Sequence, residues 1–310
     1  MKGIAVLPQG LEVVGAKELS LLGAQSVHPL FRCVAFEADI ACFYRLHLQA
    51  RLPFRILREI SRFKCNSPAS LFHSVQTSFD WETWLEPYKS FRVDVSGKCF
   101  GLPHSHFTAL QVKNALVDFQ RKTWGDRSQI NLENPDICFH LHLSDYESVL
   151  SLDGSSGSLH RRGYRAALGL APLKENVASG LIKMTGWDGS VPLVDPFCGS
   201  GTFLIEAARS ILNYPSGLNC SFLFQNWVDF DDQIWKKELG YANSLIKSSI
   251  YNKVSAIIGC DKDVNIANQA KENVSSLGLN KFISIQNRDF NELEMPNKKG
   301  LIICNPPYGK

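Results

Sequence analysis

The chain has 310 residues, of which 45% are hydrophobic and 20% charged, and its formal net charge is +3. At roughly 150 residues per domain this length predicts about two domains, and the ordinary globular composition excludes a disordered, collagen-like or coiled-coil protein. No apolar run approaches the roughly 20 residues that a membrane span needs, and the sequence after Val6 is too polar for a signal peptide. The nine cysteines include no CxxC pair, so neither a zinc ribbon nor a disulfide framework has support. We therefore expect a cytoplasmic protein with no membrane contact and no metal.

The basic excess lies in the first half of the chain. Residues 1–170 hold 19 Lys and Arg against 16 Asp and Glu, whereas residues 171–310 hold 14 of each. All eight histidines lie at or before His160. The two halves differ in composition. The basic excess is too small to establish a polyanionic partner by itself, but its location points to the first half.

The first half mixes helical and extended patterns. Its predicted elements, in chain order, are a helix at 11–22, a strand at 27–37, a helix at 40–48, strands at 55–63 and 91–96, a helix at 105–122 and a strand at 136–143. Residues 149–152, followed by the turn-forming run DGSSGS, are typical of a hairpin. This mixture predicts an α+β fold.

From residue 174 onward, strands alternate with helices. The predicted order is helix 174–185, strand 192–195, helix 202–212, strand 254–259, helix 263–276 and strands 282–286 and 300–304. This alternation predicts a parallel, doubly wound α/β sheet. Residues 214–235 interrupt the rhythm with a cluster of aromatic side chains and three acids, and the helical pattern after them is longer than a plain crossover needs.

The run DPFCGSGT, residues 195–202, lies between a buried strand and a helix. Its glycines allow a tight turn and a close approach of the backbone to a ligand. The run lacks the lysine of a P-loop and the third glycine of the dinucleotide fingerprint. Because a helix N-terminus can receive a carboxylate, a ligand with an amino-acid end fits this turn, and S-adenosylmethionine is such a ligand. The residues expected to bind it are Asp195, Pro196, Cys198, Gly199, Ser200, Gly201 and Thr202.

One acid follows each of the next two strands. Asp261 ends the strand IIGCD, where a carboxylate can accept both ribose hydroxyls of a nucleoside. The nearby Asp263 is the alternative candidate for this ribose contact, but it opens the next helix and can serve as the cap of that helix. Asp289 follows the third strand, where it can accept a hydrogen bond from the amino group of adenine while Phe290 packs on the ring.

The fourth strand ends in Asn305-Pro306-Pro307-Tyr308. The prolines stiffen this loop, and the side-chain oxygen of Asn305 and the carbonyl oxygen of Pro306 can accept hydrogen bonds from an exocyclic amine. These bonds align the amine nitrogen on a methyl donor, and Tyr308 can stack on a base taken out of its helix. We expect Asn305, Pro306, Pro307 and Tyr308 to be catalytic, with Asn305 also at the cofactor.

In this order the four motifs resemble those of class I S-adenosylmethionine-dependent methyltransferases that act on amines. The whole chain resembles the THUMP-domain RNA methyltransferases, also through residues 158–165 (SLHRRGYR) and 171–175 (APLKE). The resemblance is greatest to the RlmL type, which makes N2-methylguanosine in 23S ribosomal RNA. It implies that Pro172, Lys174 and Glu175 lie against the cofactor.

The resemblance implies three units: a ferredoxin-like unit at residues 1–60, a THUMP domain associated with RNA binding at 61–157, and a methyltransferase domain at 158–310. Clusters of basic residues support an RNA partner, because such groups neutralise phosphates. The candidates for RNA contact are Arg55, Arg58, Arg62, Arg121, Lys122, Arg161, Arg162 and Arg165.

The expected function is therefore methylation of an exocyclic base amine in RNA, with guanine N2 of 23S ribosomal RNA first among the substrates. Direct transfer needs no covalent enzyme intermediate, so Cys198 and Cys304 need not be nucleophiles. Three alternatives stay open: a guanine-N2 enzyme on transfer RNA, an adenine-N6 or cytosine-N4 enzyme on DNA, and a non-catalytic RNA-binding protein. The C-terminus is the reason for the non-catalytic alternative. The class I fold has a seven-stranded sheet, whereas about four strands precede Lys310, which suggests a truncated domain.

Overall fold

The structure, a computed structural model, describes residues 1–145, 147–164, 173–248, 255–293, 296 and 299–306. The strands are β1 Lys2–Val6, β2 Gln25–Leu30, β3 Cys33–Glu37, β4 Arg55–Phe63, β5 Phe91–Gly97, β6 Ile137–Leu143, β7 Ser148–Asp153, β8 Leu193–Asp195, β9 Ile257–Asp261, β10 Ile283–Asn287 and β11 Leu301–Ile302. The α-helices are α1 Glu12–Leu21, α2 Ile40–Gln49, α3 Pro68–Thr77, α4 Trp81–Trp84, α5 Ser105–Trp124, α6 Glu175–Thr185, α7 Thr202–Ile211, α8 Asp232–Ser248 and α9 Val264–Ser276. Within the described part of the chain, no helix has the length and apolar character needed to cross a membrane.

The first half is an α+β fold, as predicted, and it is built on one seven-stranded sheet. The strand order is β2-β3-β1-β4-β7-β6-β5, and β4 pairs antiparallel with both β1 and β7. The predicted boundary between the first two units, at residues 60 and 61, therefore lies inside β4. The ferredoxin-like and THUMP units share a continuous hydrogen-bonded sheet.

Two local predictions for this half are wrong. Residues 27–37 do not form one strand: β2 and β3 pair antiparallel across a tight turn in which Arg32 has a φ of +58°. The hairpin turn lies before β7 and not after it, because β6 and β7 pair antiparallel. The Ser144 hydroxyl closes this turn by donating a 2.7 Å hydrogen bond to the Glu147 carbonyl. The DGSSGS run instead leaves the sheet. Ser155 within it forms a β-bridge with Phe222.

The second half contains the predicted parallel sheet, in the order β10-β9-β8-β11. The chain moves outward from β8 to β9 and β10 and then returns to the other side of β8. Strand order therefore reverses between β8 and β11, and ligands of open α/β sheets bind at the carboxyl ends of strands flanking such a point.

The aromatic run that interrupts the second half packs against the first half. Phe222 and Phe224 are buried, and the Phe224 ring stacks on Tyr44 of α2 with 4.7 Å between centroids. Trp227 is buried in the same core. The long helix α8 then lies along α2, where Glu238 accepts a 2.7 Å hydrogen bond from Arg45. The stretch that breaks the βα rhythm is thus an element that joins the two halves.

A buried charge cluster lies at the same junction. Glu206 of α7 is fully buried and accepts hydrogen bonds from Arg162 and, at 2.6 Å, from the Ser179 hydroxyl. Arg51 approaches the same carboxylate at 3.8 Å. Burial raises the Glu206 pKa, but the charges of Arg162, Arg209 and Arg51 outweigh burial and hold the pKa below its ordinary value.

This cluster corrects one prediction. Arg162 was expected to contact RNA, but it is only 1% exposed and its second amino group donates to the Arg51 carbonyl at 2.6 Å. A guanidinium that is buried on a carboxylate cannot reach a phosphate. Arg162 therefore joins the two halves of the chain.

Glu206→Gln tests the importance of this cluster. The substitution leaves three buried arginines without their shared counter-charge, so we expect a loss of about 3–5 kcal/mol in the free energy of unfolding. Urea denaturation followed by circular dichroism measures it. The matched control is Asp232→Asn, which removes the exposed pair with Lys236 and should cost less than about 0.5 kcal/mol. Equal midpoints for the two variants would contradict the importance of the cluster.

Candidate functional site

The loops that follow β8, β9, β10 and β11 enclose a cavity of about 560 Å³. Its size lies within the range of roughly 300–1,000 Å³ typical of small-molecule sites. The lining residues are Pro196, Phe197, Gly199, Asp261, Lys262, Asp263, Ile266, Asp289, Phe290 and Asn305. The cavity therefore collects side chains from all four strand ends.

The turn between β8 and α7 depends on two glycines. Gly199 has a φ of +52° and Gly201 a φ of +83°, conformations that residues with a Cβ rarely adopt. No atom lies within 4 Å of a Cβ built on Gly199, so the backbone there faces open space. The Gly199 amide donates to Asp261 Oδ2 at 3.1 Å, which ties this turn to the end of β9.

The Asp261 side chain lines the cavity. Its Oδ1 accepts a 3.0 Å hydrogen bond from the Asp263 amide, and the Asn287 side chain donates to its backbone carbonyl at 2.9 Å. These contacts fix its orientation, and each carboxylate oxygen keeps a second lone pair. Asp261 can thus accept two further hydrogen bonds from a diol. Asp263 caps α9 through bonds to the Asn265 and Ile266 amides.

Two aromatic rings form the apolar part of the cavity. Phe197 and Phe290 lie 5.2 Å apart between ring centroids, and Phe290 is 49% exposed. Asp289 precedes it and accepts a 3.0 Å bond from the Asn291 amide through Oδ1. Phe197, Lys262 and Ile266 also line the cavity and are not among the residues predicted from the sequence. Phe197 can be proposed from the sequence because it lies within the glycine motif. Lys262 and Ile266 can be recognised only from the position of α9 in the fold.

The predicted catalytic residues are only partly described. Asn305 is half-buried and lines the cavity, and Pro306 beside it is exposed. Pro307 and Tyr308 lie outside the described residues, as does Pro172 among the expected cofactor ligands. No group of three or more His, Cys, Asp or Glu side chains able to hold a metal exists among the residues that the structure describes.

Several expected cofactor ligands do not line this cavity. They are Lys174, Glu175, Asp195, Cys198, Ser200, Gly201 and Thr202. Lys174 occupies the N-cap position of α6 without a side-chain capping bond, and its ammonium lies 5.1 Å from the centroid of the Phe54 ring. Glu175 is buried in the first turn of that helix. Cys198 packs in the core, and the Ser200 carbonyl accepts a bond from Asn273. Their role at a cofactor stays a prediction.

Most of the basic residues expected to contact RNA already pair with acids of the chain. Arg55 donates to Asp153 and Asp94, Arg58 to Asp229, Arg62 to Glu59 and Glu147, and Lys122 pairs with Asp118 at 2.7 Å. Arg58 also lies over the Trp84 ring. Arg121 and Arg161 are exposed, and Arg165 lies outside the described residues. Internal pairing leaves these arginines less charge to offer a phosphate than their number suggests.

Burial changes the acidity of two groups under the glycine turn. Asp195 is 1% exposed, and burial raises its pKa from 3.8 to about 7 although its Oδ1 accepts a bond from the Phe197 amide. Burial also raises the pKa of the Cys198 thiol well above its ordinary value. The thiol is therefore protonated near neutral pH.

The raised Asp195 pKa predicts a dependence of stability on pH. Between about pH 4 and pH 7 the unfolded chain has released the Asp195 proton while the folded chain retains it, so stability falls as pH rises. Asp195→Asn has no such proton. The difference between its free energy of unfolding and that of the natural chain should therefore shift in favour of the variant by about 1 kcal/mol per pH unit in this window. Urea unfolding at pH 4.5, 5.5, 6.5 and 7.5 measures it.

The control for this experiment is Asp188→Asn. Bonds from the Ser190 hydroxyl and amide lower the Asp188 pKa, so Asp188 titrates below the window. The Asp188→Asn profile should run parallel to that of the natural chain. A parallel profile for Asp195→Asn as well would show that burial does not perturb Asp195.

Three family models match consecutive parts of the chain. An RlmL ferredoxin-like domain matches residues 2–57, a THUMP domain residues 72–153, and an RMKL-like methyltransferase domain residues 162–310. Their order agrees with the one that the sequence resemblance implied.

Relatives match over nearly the whole chain. A Synechocystis sp. protein, slr0064, with the provisional name of RNA methyltransferase, is 43% identical over 99% of this chain and 79% of its own length. Ribosomal RNA large subunit methyltransferase K/L of Ectopseudomonas mendocina is 38% identical over 99% of this chain, which spans only 43% of that protein. The crystal structure of SMU.472, a provisionally named methyltransferase complexed with SAH, is 28% identical, with a TM-score of 0.87 over 100% of this chain and 81% of its own. The chain therefore belongs to the family of THUMP-containing methyltransferases with an RlmL-type ferredoxin-like domain and an RMKL-like methyltransferase domain.

Proposed function

We propose that this chain carries the catalytic machinery for S-adenosylmethionine-dependent methylation of an exocyclic base amine in RNA, with guanine N2 of 23S ribosomal RNA as the substrate. One observation carries the proposal: four consecutive strand ends bring the Gly199 turn, Asp261, Asp289 and Asn305 to one cavity. The names of two relatives support it, since the Ectopseudomonas protein is a ribosomal RNA methyltransferase and SMU.472 is complexed with SAH.

The cavity residues fit the parts of S-adenosylmethionine. Asp261 offers two carboxylate oxygens to the ribose hydroxyls, and Asp289 offers an acceptor to the adenine amino group. The Phe197 and Phe290 rings offer an apolar wall to the purine. The exposed Gly199 backbone leaves room beside the start of α7, where N–H groups can receive the carboxylate of the methionine part. When bound, this cofactor supplies a methyl group on a positively charged sulfur.

Asn305 holds the other reactant in this proposal. Its side-chain oxygen and the Pro306 carbonyl accept hydrogen bonds from the amine, which orients the nitrogen lone pair and stabilises the positive charge that develops on it. An exocyclic amine is barely basic, so orientation matters more than a general base. Burial keeps the Cys198 thiol protonated, which argues against a covalent route through that cysteine.

Asn305→Ala is expected to separate transfer from cofactor binding. Loss of the amine acceptor should reduce methyl transfer by about 100-fold or more, while the Kd for S-adenosylmethionine stays within about threefold. Transfer of a labelled methyl group to unmodified 23S ribosomal RNA and calorimetry measure the two quantities. Asn280→Ala, at an exposed asparagine, should change neither. Turnover that survives Asn305→Ala would rule out this mechanism.

Asp261→Ala is expected to act on the cofactor itself. One hydrogen bond to a charged group contributes about 1.5–3 kcal/mol, so loss of the Asp261 carboxylate should raise the Kd for S-adenosylmethionine by roughly 10- to 100-fold or more. Asp263→Ala distinguishes the two neighbouring acids, because loss of the α9 cap should lower the thermal midpoint through about 1 kcal/mol of stability and change the Kd less. A larger Kd effect from Asp263 would exchange their roles.

The nucleic acid is tested by competition among substrates. Unmodified 23S ribosomal RNA, transfer RNA and duplex DNA are offered to the same chain with labelled cofactor, and nuclease digestion followed by mass analysis identifies the methylated base. N2-methylguanosine in ribosomal RNA alone is the expected result. Methylated adenine or cytosine in DNA, or no cofactor binding beside intact RNA binding, would overturn the proposal.

A further inference from the structure

Asn287, the last residue of β10, reaches the loop that follows β9. The two strands are parallel, and Asn287 and Asp261 are the final partners in their ladder. The Asn287 side-chain amide donates to the Asp261 carbonyl at 2.9 Å and to the Lys262 carbonyl at 3.1 Å. An amide nitrogen has two protons, and each of them has an acceptor here. One side chain therefore continues the contact between the two strands into the loop.

The loop that Asn287 holds carries three consecutive residues of the cavity at the strand ends. Asp261, Lys262 and Asp263 all line this cavity. Asp261 Oδ1 accepts a hydrogen bond from the Asp263 amide at 3.0 Å. The direction of the Asp261 carboxylate therefore depends on the orientation of the peptide unit between Lys262 and Asp263.

That peptide unit links Asn287 to the carboxylate. The Lys262 carbonyl and the Asp263 amide belong to one planar group, so a contact that fixes the carbonyl also fixes the N–H. The carbonyl accepts from Asn287 on one side, and the N–H donates to Asp261 on the other. Hydrogen bonds in such a chain polarise one another, which strengthens the bond to the carboxylate. We call this chain of contacts, from Asn287 through the peptide unit to Asp261, the Asn287 relay.

We propose that Asn287 is a positioning residue for S-adenosylmethionine. It holds the peptide unit after Lys262 so that the Asp261 carboxylate is already oriented when the ribose hydroxyls arrive. Such preorganisation raises affinity, because the loop does not have to be ordered during binding. Asn287 ends a different strand from the one that leads to Asn305, so we expect no effect on the methyl-transfer step. The inference rests on the proposed function, which names the ribose as the ligand of Asp261.

Asn287→Leu in the full chain tests the relay. Leucine has nearly the shape of asparagine, but it donates no hydrogen bond and adds no charge. Loss of two neutral hydrogen bonds should raise the Kd for S-adenosylmethionine about 5- to 50-fold in calorimetry. The KM for the cofactor should rise in parallel, while kcat at saturating cofactor stays within about twofold. Because Asn287 is exposed, circular dichroism and the thermal midpoint should hardly change.

A double-mutant cycle with Asp261→Ala separates a positioning role from a purely structural one. If Asn287 acts through the Asp261 carboxylate, adding Asn287→Leu to the Asp261→Ala chain should change the Kd by less than about twofold. A structural role that is independent of Asp261 would instead weaken binding by the same factor in both backgrounds.

Asn243→Leu on α8 is the matched control. The Asn243 side-chain amide also donates to a backbone carbonyl, that of Leu239, at 3.0 Å. The same bond is therefore removed by the same substitution, but outside the loops that enclose the cavity. The Kd for S-adenosylmethionine should stay within about twofold of the natural value.

The outcomes separate this inference from the proposed function. Natural cofactor affinity in Asn287→Leu, or an effect that persists in full in the Asp261→Ala background, would overturn the positioning role alone. A lower kcat with an unchanged KM would overturn it as well. Weakened binding in Asn287→Leu that disappears without Asp261, in a chain that transfers no methyl group to RNA, would support the positioning role and overturn the function. A natural chain that binds no S-adenosylmethionine would overturn both.

Discussion

The buried carboxylate of Glu206 is the interaction on which the arrangement of the two halves depends. It accepts a hydrogen bond from Arg162, which lies between β7 and α6, and it lies 3.8 Å from Arg51 of the first half. Its own helix, α7, begins at the glycine turn of the cavity. An unpaired arginine in a dry interior is costly, so these charges can be buried only together. The helix that anchors the junction is therefore also the helix that follows the glycine turn of the cavity. The position of the cavity relative to the first half of the chain is fixed by the same contact.

The aromatic cluster complements this charge cluster. Phe224 stacks on Tyr44, and Arg58 lies over both the Trp84 and Trp227 rings while pairing with Asp229. Charge fixes the junction on one side and ring packing on the other. Relative motion of the halves would have to break both sets of contacts, which favours a rigid arrangement of the two halves.

The parts of the site that follow from local sequence could be predicted, and the parts that depend on distant partners could not. The strand-turn-helix around Gly199 and the acid after β9 are local patterns, and the structure places them in one cavity. Arg55 and Arg58 looked equally available to RNA from their spacing. Their acidic partners lie 98 and 171 residues further along the chain. No local signal distinguishes them from Arg121, which is exposed in the folded structure. The hairpin at β7 was misplaced for a similar reason, since a glycine-serine run is typical of any turn and only strand pairing tells which one.

The continuity of the first sheet constrains how the domain architecture of such a protein can evolve. β4 pairs with β1 on one side and with β7 on the other, so the two N-terminal units share a strand instead of a linker. Separating them would expose unpaired edges on both fragments, and open edges invite aggregation. The two units are better regarded as one evolutionary module than as two independent domains joined by a linker. Recombination that preserves the fold would have to move them together.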